Sequence, residues 1–151
     1  MIKGYFKKIG FTLIELLLVI AIIGLLTSIV LFFFGPSRKK AKDARRQTDI
    51  RNIMTAMEMC YDDDNKYPVI TIDGNNKVTN TSLASSLKTY LVSFPKSPGN
   101  ESYYGEDNDS NRQQYCIYAI LESISPTTYF CASEKGTRSS ITVPEIGACC
   151  Y

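Results

Sequence analysis

Histidine is missing from this chain altogether. Its absence removes imidazole acid–base catalysis, Ser-His and Cys-His nucleophile pairs, and every metal site built on a histidine ligand. No nucleophile motif or phosphate-cradling loop takes its place, so the sequence offers little to an enzyme. Cys-x-x-Cys spacing is absent too. The five cysteines, Cys60, Cys116, Cys131, Cys149 and Cys150, point instead to structural disulfides in an oxidising compartment, with an odd one unpaired or bridging to another chain. Nor is there a large excess of either charge. A formal net charge of +2 over 151 residues argues against a nucleic-acid binder.

What the sequence has is concentrated at its start. Residues 11–34 form an apolar run of 24 whose one ionisable side chain is Glu15. As a helix this run would extend about 36 Å, enough to cross a hydrocarbon core of about 30 Å. It is apolar on all sides, with only Glu15, Thr12, Thr27 and Ser28 intruding, so a buried helix of a soluble domain is the poorer reading. A secretory signal peptide would have a shorter apolar region and a small-x-small cleavage site; Gly35-Pro36-Ser37 makes a poor one. A plain anchor explains the length but gives Glu15 no purpose, although a charge inside a membrane helix costs about 2.5 to 3.5 kcal/mol. Lys3, Lys7 and Lys8 precede the run, and a larger basic cluster, Arg38, Lys39, Lys40, Lys42, Arg45 and Arg46, follows it. A simple positive-inside count would place the C-terminal part in the cytoplasm, but long domains translocate largely regardless of charge, and the cysteines point outward.

The stretch Lys7-Lys8-Ile9-Gly10-Phe11-Thr12-Leu13-Ile14-Glu15, with the apolar run behind it, closely resembles the prepilin signature of type IV pilins and type II secretion pseudopilins. The resemblance implies that residues 1–10 are a leader removed by a prepilin peptidase between Gly10 and Phe11, and that Phe11 is then N-methylated. It implies that residues 11–36 are kept as a membrane and filament-core helix. Loss of the three lysines would leave 14 basic against 15 acidic residues. Glu15 lies one helical turn from the new amine, so acid and base appear at the same depth. Glu15 could pair with its own chain's amine, or, as the family implies, with that of a neighbouring subunit, which would set the stagger between helices. Breaking such a buried pair strands a charge, at about 3 to 5 kcal/mol, so it can select register.

Gly35-Pro36 is expected to end or kink the first helix. Residues 37–66 then read as an amphipathic helix: Ile50, Ile53, Met54, Met57, Cys60 and Tyr61 share one face and Arg51, Asn52, Thr55 and Glu58 the other. Asp62-Asp63-Asp64 opposes the helix dipole and Asn65 suits a left-handed cap, so the helix should stop there, with Tyr67-Pro68 turning the chain away. The span from Ala41 to Pro68 again resembles pseudopilins. In residues 67–151, the expected head, Thr81 or Ser82 can cap a helix through Leu83, Leu87, Tyr90 and Leu91. Residues 115–121 and 129–132 read as paired strands around a turn at Ser125-Pro126, and residues 141–143 as a third strand. The expected fold is α+β and pilin-like: a long N-terminal helix packed on a small antiparallel sheet.

A hairpin centred on Ser125-Pro126 sets Cys131 near Ile120 and argues against a Cys116–Cys131 bond. Cys131 with Cys149 or Cys150 would staple the C-terminus to the sheet, as in many pilins, and Cys60 with Cys116 would tie helix to sheet. Residues 107–111 begin like an EF-hand loop, but Arg112 replaces the turn glycine and Tyr118 the bidentate glutamate. Since major pseudopilins often bind calcium in the head, Glu106, Asp107 and Asp109 are candidate ligands; a solvated acidic loop is the alternative, and no other cofactor is expected. The basic cluster after the span is read as facing lipid headgroups or acids of neighbouring helices rather than nucleic acid. The resulting expectation is a non-enzymatic subunit, first held in the inner membrane with its head extracytoplasmic. It would then homo-oligomerise into a surface or periplasmic filament through an inner-membrane assembly platform. The competing reading is a single-pass tethered binding module that never polymerises.

Overall fold

A computed structural model describes residues 10–78, 87–99, 101–108, 110 and 112–149 of the chain. One helix, α1, runs Leu13–Asp64. The chain divides into two compact units between Ser37 and Arg38. In the first unit the stretch Leu13–Phe32 is long and apolar enough to cross a membrane, and none of it is buried within the chain. Pro36 lies inside α1 and does not end it. Proline deletes one N–H and so one rung of the hydrogen-bond ladder, and strong helix formers on both sides, such as Leu31 before and Lys39 to Ala44 after, carry the helix past that loss.

The second unit is the head. The helix stripe expected from sequence faces inward: Ile50, Ile53, Ala56, Met57 and Cys60 are buried, with Met54 and Tyr61 packed at the margin. Asn65 ends the helix, with φ of 51° and its N–H donating to the Tyr61 carbonyl at 2.8 Å. The described part of the expected second helix is a 3₁₀ turn, Leu87–Thr89, whose Leu87 is buried in the core; its expected caps Thr81 and Ser82 lie outside the described residues.

Four antiparallel strands follow in spatial order: β1 Tyr104–Gly105, β2 Ile117–Leu121, β3 Thr128–Ser133 and β4 Gly136–Ser140. Strands β2 and β3 pair Ile117 with Ala132 and Tyr118 with Cys131, around a turn in which Ser125-Pro126 is cis. Side-chain alternation then sorts the sheet into two faces. Ile117, Ala119, Leu121, Phe130 and Ala132 point at α1 and complete its core with Tyr67, Ile70, Tyr103 and Tyr115. Cys116, Tyr118 and Cys131 cluster with Tyr104, Tyr129, Ile146 and Cys149, so the C-terminal segment covers the second face. Gly105 sits where chains converge: a Cβ there would lie 3.0 Å from both the Cys116 carbonyl and Val78 Cγ2.

The third strand corrects the sequence expectation. Ile141 and Val143 are exposed and lie outside any strand, while β4 is the polar stretch Gly-Thr-Arg-Ser-Ser, paired residue for residue with β3. It is an edge strand held by backbone bonds and has no apolar face to bury, so hydrophobic alternation could not reveal it.

Candidate processing and assembly site

Gly10, Phe11 and Thr12 precede α1 and are exposed, as is Glu15 in its first turn. Thr12 donates to Glu15 Oε2 through its backbone N–H (2.8 Å) and its hydroxyl (2.6 Å), and the Glu15 N–H approaches Thr12 Oγ1 at 3.3 Å. This is a reciprocal capping box, Thr12 at the N-cap and Glu15 three residues on. It satisfies donors that a helix start would otherwise leave bare, which matters most in lipid. The sequence reading gave Glu15 only an ionic partner; the Thr-x-x-Glu spacing before an apolar run was the signal for the cap.

The basic cluster divides. Arg38, Lys39 and Lys40 are exposed, but Arg46 is fully buried in the head and does not face lipid. Its guanidinium reaches Asp43 Oδ1 at 3.0 Å, the Pro98 carbonyl at 2.9 Å, the Ile120 carbonyl at 3.3 Å, Ser97 Oγ at 3.2 Å and, closer still, the Glu122 carboxylate. Asp43, itself buried, accepts the backbone N–H groups of Glu122 (2.8 Å) and Ser123 (2.7 Å). Lys42 reaches Glu122 at 3.5 Å. Burial alone would raise the Asp43 pKa, but the hydrogen bonds from Ser123 and Glu122 and the Arg46 charge outweigh it, so the net shift is downward. Glu122 is lowered chiefly by its hydrogen bond from Arg46. The group clamps α1 to the end of β2 and to the loop at Pro98. Apart from the Asp43–Arg46 contact within α1, its partners are 51 to 80 residues apart in sequence, beyond any local pattern.

The acidic loop does not assemble a metal site among the described residues. Glu106 accepts from Asn76 Nδ2 at 3.2 Å, and burial with the nearby Glu145 raises its pKa. Between Asp107 and Asp109, the buried Asn108 side chain is committed to the backbone: Oδ1 accepts the Ile70 N–H (2.9 Å), and Nδ2 donates to the Pro68 and Gln114 carbonyls (both 3.2 Å). Asp109 lies outside the described residues. The Glu106 and Asp107 carboxylates thus have no third described carboxylate arranged with them for calcium, and the amide that would belong to an EF-hand-like loop is holding the head together.

The structure corrects the expected Cys60–Cys116 bond and the Cys149 alternative for Cys131, whereas the Cys150 alternative for Cys131 falls outside the described residues. Cys116 is bonded to Cys149, with Cα atoms 5.6 Å apart, so it ties β2 to the C-terminal segment and leaves neither Cys60 for Cys116 nor Cys149 for Cys131. Cys131 is disulfide-bonded as well; Cys150 lies outside the described residues. Cys60 carries a thiol on the helix side of the sheet, where burial and then the Asp64 and Asp63 charges raise its pKa. The helix face and the disulfide face are opposite sides of one sheet, which is why a helix-to-strand bond does not form.

An apolar N-terminal helical stretch, followed by an amphipathic one packed on a small antiparallel sheet, defines a membrane-anchored, pilin-like α+β protein. The prokaryotic N-terminal methylation motif matches residues 6–31. The chain is 32% identical over 110 residues to the type II secretion system core protein G of Vibrio cholerae serotype O1, covering 68% of this chain and 74% of that protein. It is 29% identical over 103 residues to the core protein G of Aeromonas hydrophila, covering 64% and 71%, and 36% identical over 66 residues to that of Pectobacterium carotovorum, covering 44% and 42%. No solved structure gives a significant match. The chain belongs to the type IV pilin and type II secretion pseudopilin family.

Proposed function

We propose that this protein is a structural subunit of a type II secretion-like filament, cut by a prepilin peptidase between Gly10 and Phe11, N-methylated at Phe11 and packed helix against helix with other copies. The observation that carries this reading is the Leu13–Phe32 stretch, wholly uncovered within its own chain, with one carboxylate at its start. Lipid covers such a surface in the membrane, and neighbouring copies would cover it in a filament. In the uncut chain, Thr12 occupies Glu15 Oε2, and Oε1 takes no part in the cap. The Phe11 amine created by cleavage would give that carboxylate a cationic partner, and a neighbouring copy's amine would fix the stagger between helices.

The test is the mature N-terminus, read by mass spectrometry, together with Glu15→Ala. N-methylphenylalanine at Phe11 and loss of filaments in the variant are expected. An uncut Met1 terminus in peptidase-proficient cells, or a mature chain beginning at Arg38, would overturn the reading. Wild-type chains that are cut and methylated but never assemble would favour a tethered module instead.

A further inference from the structure

The second half of α1 carries two blocks of exposed opposite charge. At its start Arg38, Lys39 and Lys40 are exposed, and none makes an ion pair among the described residues. At its end Asp62 and Asp64 are likewise exposed without an ion pair, while Asp63 accepts the Tyr90 hydroxyl. Between the blocks Lys42 pairs with Glu122, Arg45 with Asp49 at 3.8 Å, and Arg46 with Asp43 and Glu122, while Arg51 lies over the Phe130 ring and Glu58 accepts the Tyr67 and Tyr115 hydroxyls.

The acidic end is unfavourable for an isolated chain. Three carboxylates sit at the negative end of the helix dipole, and the last turn contains no basic residue. Lys66, just beyond the Asn65 cap, makes no ion pair with them. A cation from outside would relieve both the mutual repulsion and the dipole. Three consecutive helical residues sweep about 200° around the axis, so each block can meet neighbours on several sides.

We propose that the partner of each block is the opposite block on a second copy of this chain. The inference rests on the filament reading above: copies anchored by the same apolar segment run parallel. Parallel copies can bring Asp62 and Asp64 of one against Arg38, Lys39 and Lys40 of another when displaced along the axis by about 36 Å, the rise of the 24 residues between Arg38 and Asp62. The contact adds a second register to that of Glu15, set at the head end of the helix, and exposure to water makes it sensitive to salt.

Sheared filaments of the full-length protein, treated with a water-soluble carbodiimide, test this directly, because that reagent joins amine to carboxylate with no spacer. Peptides linking Lys39 or Lys40 to Asp62 or Asp64 are expected; within one chain these groups are more than about 30 Å apart, so each link joins two copies. Two charge reversals give a second readout: Arg38→Glu with Lys39→Glu and Lys40→Glu, and Asp62→Lys with Asp64→Lys. Each set, inserted in the membrane at wild-type level with a trypsin-resistant head, should cut filament yield at least about tenfold. The combined chain should recover to within about twofold of wild type. Filaments without these crosslinks, or a combined chain no better than either set alone, overturn the pairing. Lysines protected by anionic vesicles but not by filament formation would assign the basic block to lipid, and filaments that dissolve on calcium chelation without these crosslinks would assign the acids to a metal; either result overturns it. Wild-type chains that form no filament remove the functional reading and this pairing together.

Discussion

Replacing Arg46 with methionine keeps most of the side-chain volume and removes the charge. Asp43 is then a buried carboxylate without its cation, and the Pro98 and Ile120 carbonyls lose their shared donor. Removing one side of a buried pair costs about 3 to 5 kcal/mol. Asp43 keeps the N–H groups of Glu122 and Ser123, which puts the expected loss near the lower end, about 3 kcal/mol. Domains are commonly stable by about 5 to 15 kcal/mol, so this is a substantial fraction, corresponding to a fall in Tm of about 12 °C. The assay is denaturation of full-length protein in detergent, followed by near-UV circular dichroism of its ten tyrosines, there being no tryptophan. In a double-mutant cycle, Asp43→Ala with Arg46→Met should cost clearly less than the two changes summed, because no buried charge remains. A loss below about 1 kcal/mol for Arg46→Met would class it with exposed charges and refute the clamp.

The pH dependence follows from the same group. The Asp43 and Glu122 pKa values are depressed in the folded chain, so their contribution is fully present above the unfolded carboxylate range of about 3.9 to 4.3 and is lost as pH falls through the lower folded values; urea midpoints should hold between pH 5 and 7 and drop below about pH 4. Glu106 has the opposite sign, raised by burial and by Glu145, so Glu106→Gln should stabilise the head slightly at pH 7 and have no effect in acid, read from the same midpoints. Removing Cys116–Cys149, which closes a separation of 33 residues, by Cys116→Ala with Cys149→Ala should cost about 3 to 4 kcal/mol, measured as a shift in urea midpoint without reductant, so that the Cys131 disulfide stays in place. Alkylation in denaturant without reductant should label Cys60 and leave Cys116, Cys131 and Cys149 unmodified, checked by peptide mapping. Thr12→Val should loosen the first turn of α1 by about 1 kcal/mol, seen as faster amide exchange at Leu13 to Glu15.

The parts of this protein that could be read from sequence are those governed by period and composition. The apolar run from Phe11, the inward stripe from Ile50 to Cys60 and the Asn65 stop all follow from helix geometry acting on local residues. Pairing across distance was less legible. The register that sets Tyr118 opposite Cys131, two residues from the expected alignment, follows from a turn centred between Ile124 and Ser125 rather than on Ser125-Pro126. Arg46 looked like one more cation in a run because the groups that enclose it come from Ser97, Pro98, Ile120 and Glu122. Pro36 does not end α1, since one missing donor does not stop a helix with strong formers on both sides. At the candidate site, Thr12 and Glu15 could have been read as a cap from their spacing alone.

The strap made by Cys149 also divides the head into an early and a late part of the chain. A chain synthesised from its N-terminus can bury Ile117, Ala119 and Phe130 against the helix once β3 exists. The outer aromatic layer of Tyr104, Tyr118 and Tyr129 must wait for the segment that carries Ile146 and Cys149. The Cys116–Cys149 bond fastens that cover, and without the segment carrying Ile146 and Cys149 the tyrosines of this face would lie open to proteases and chaperones.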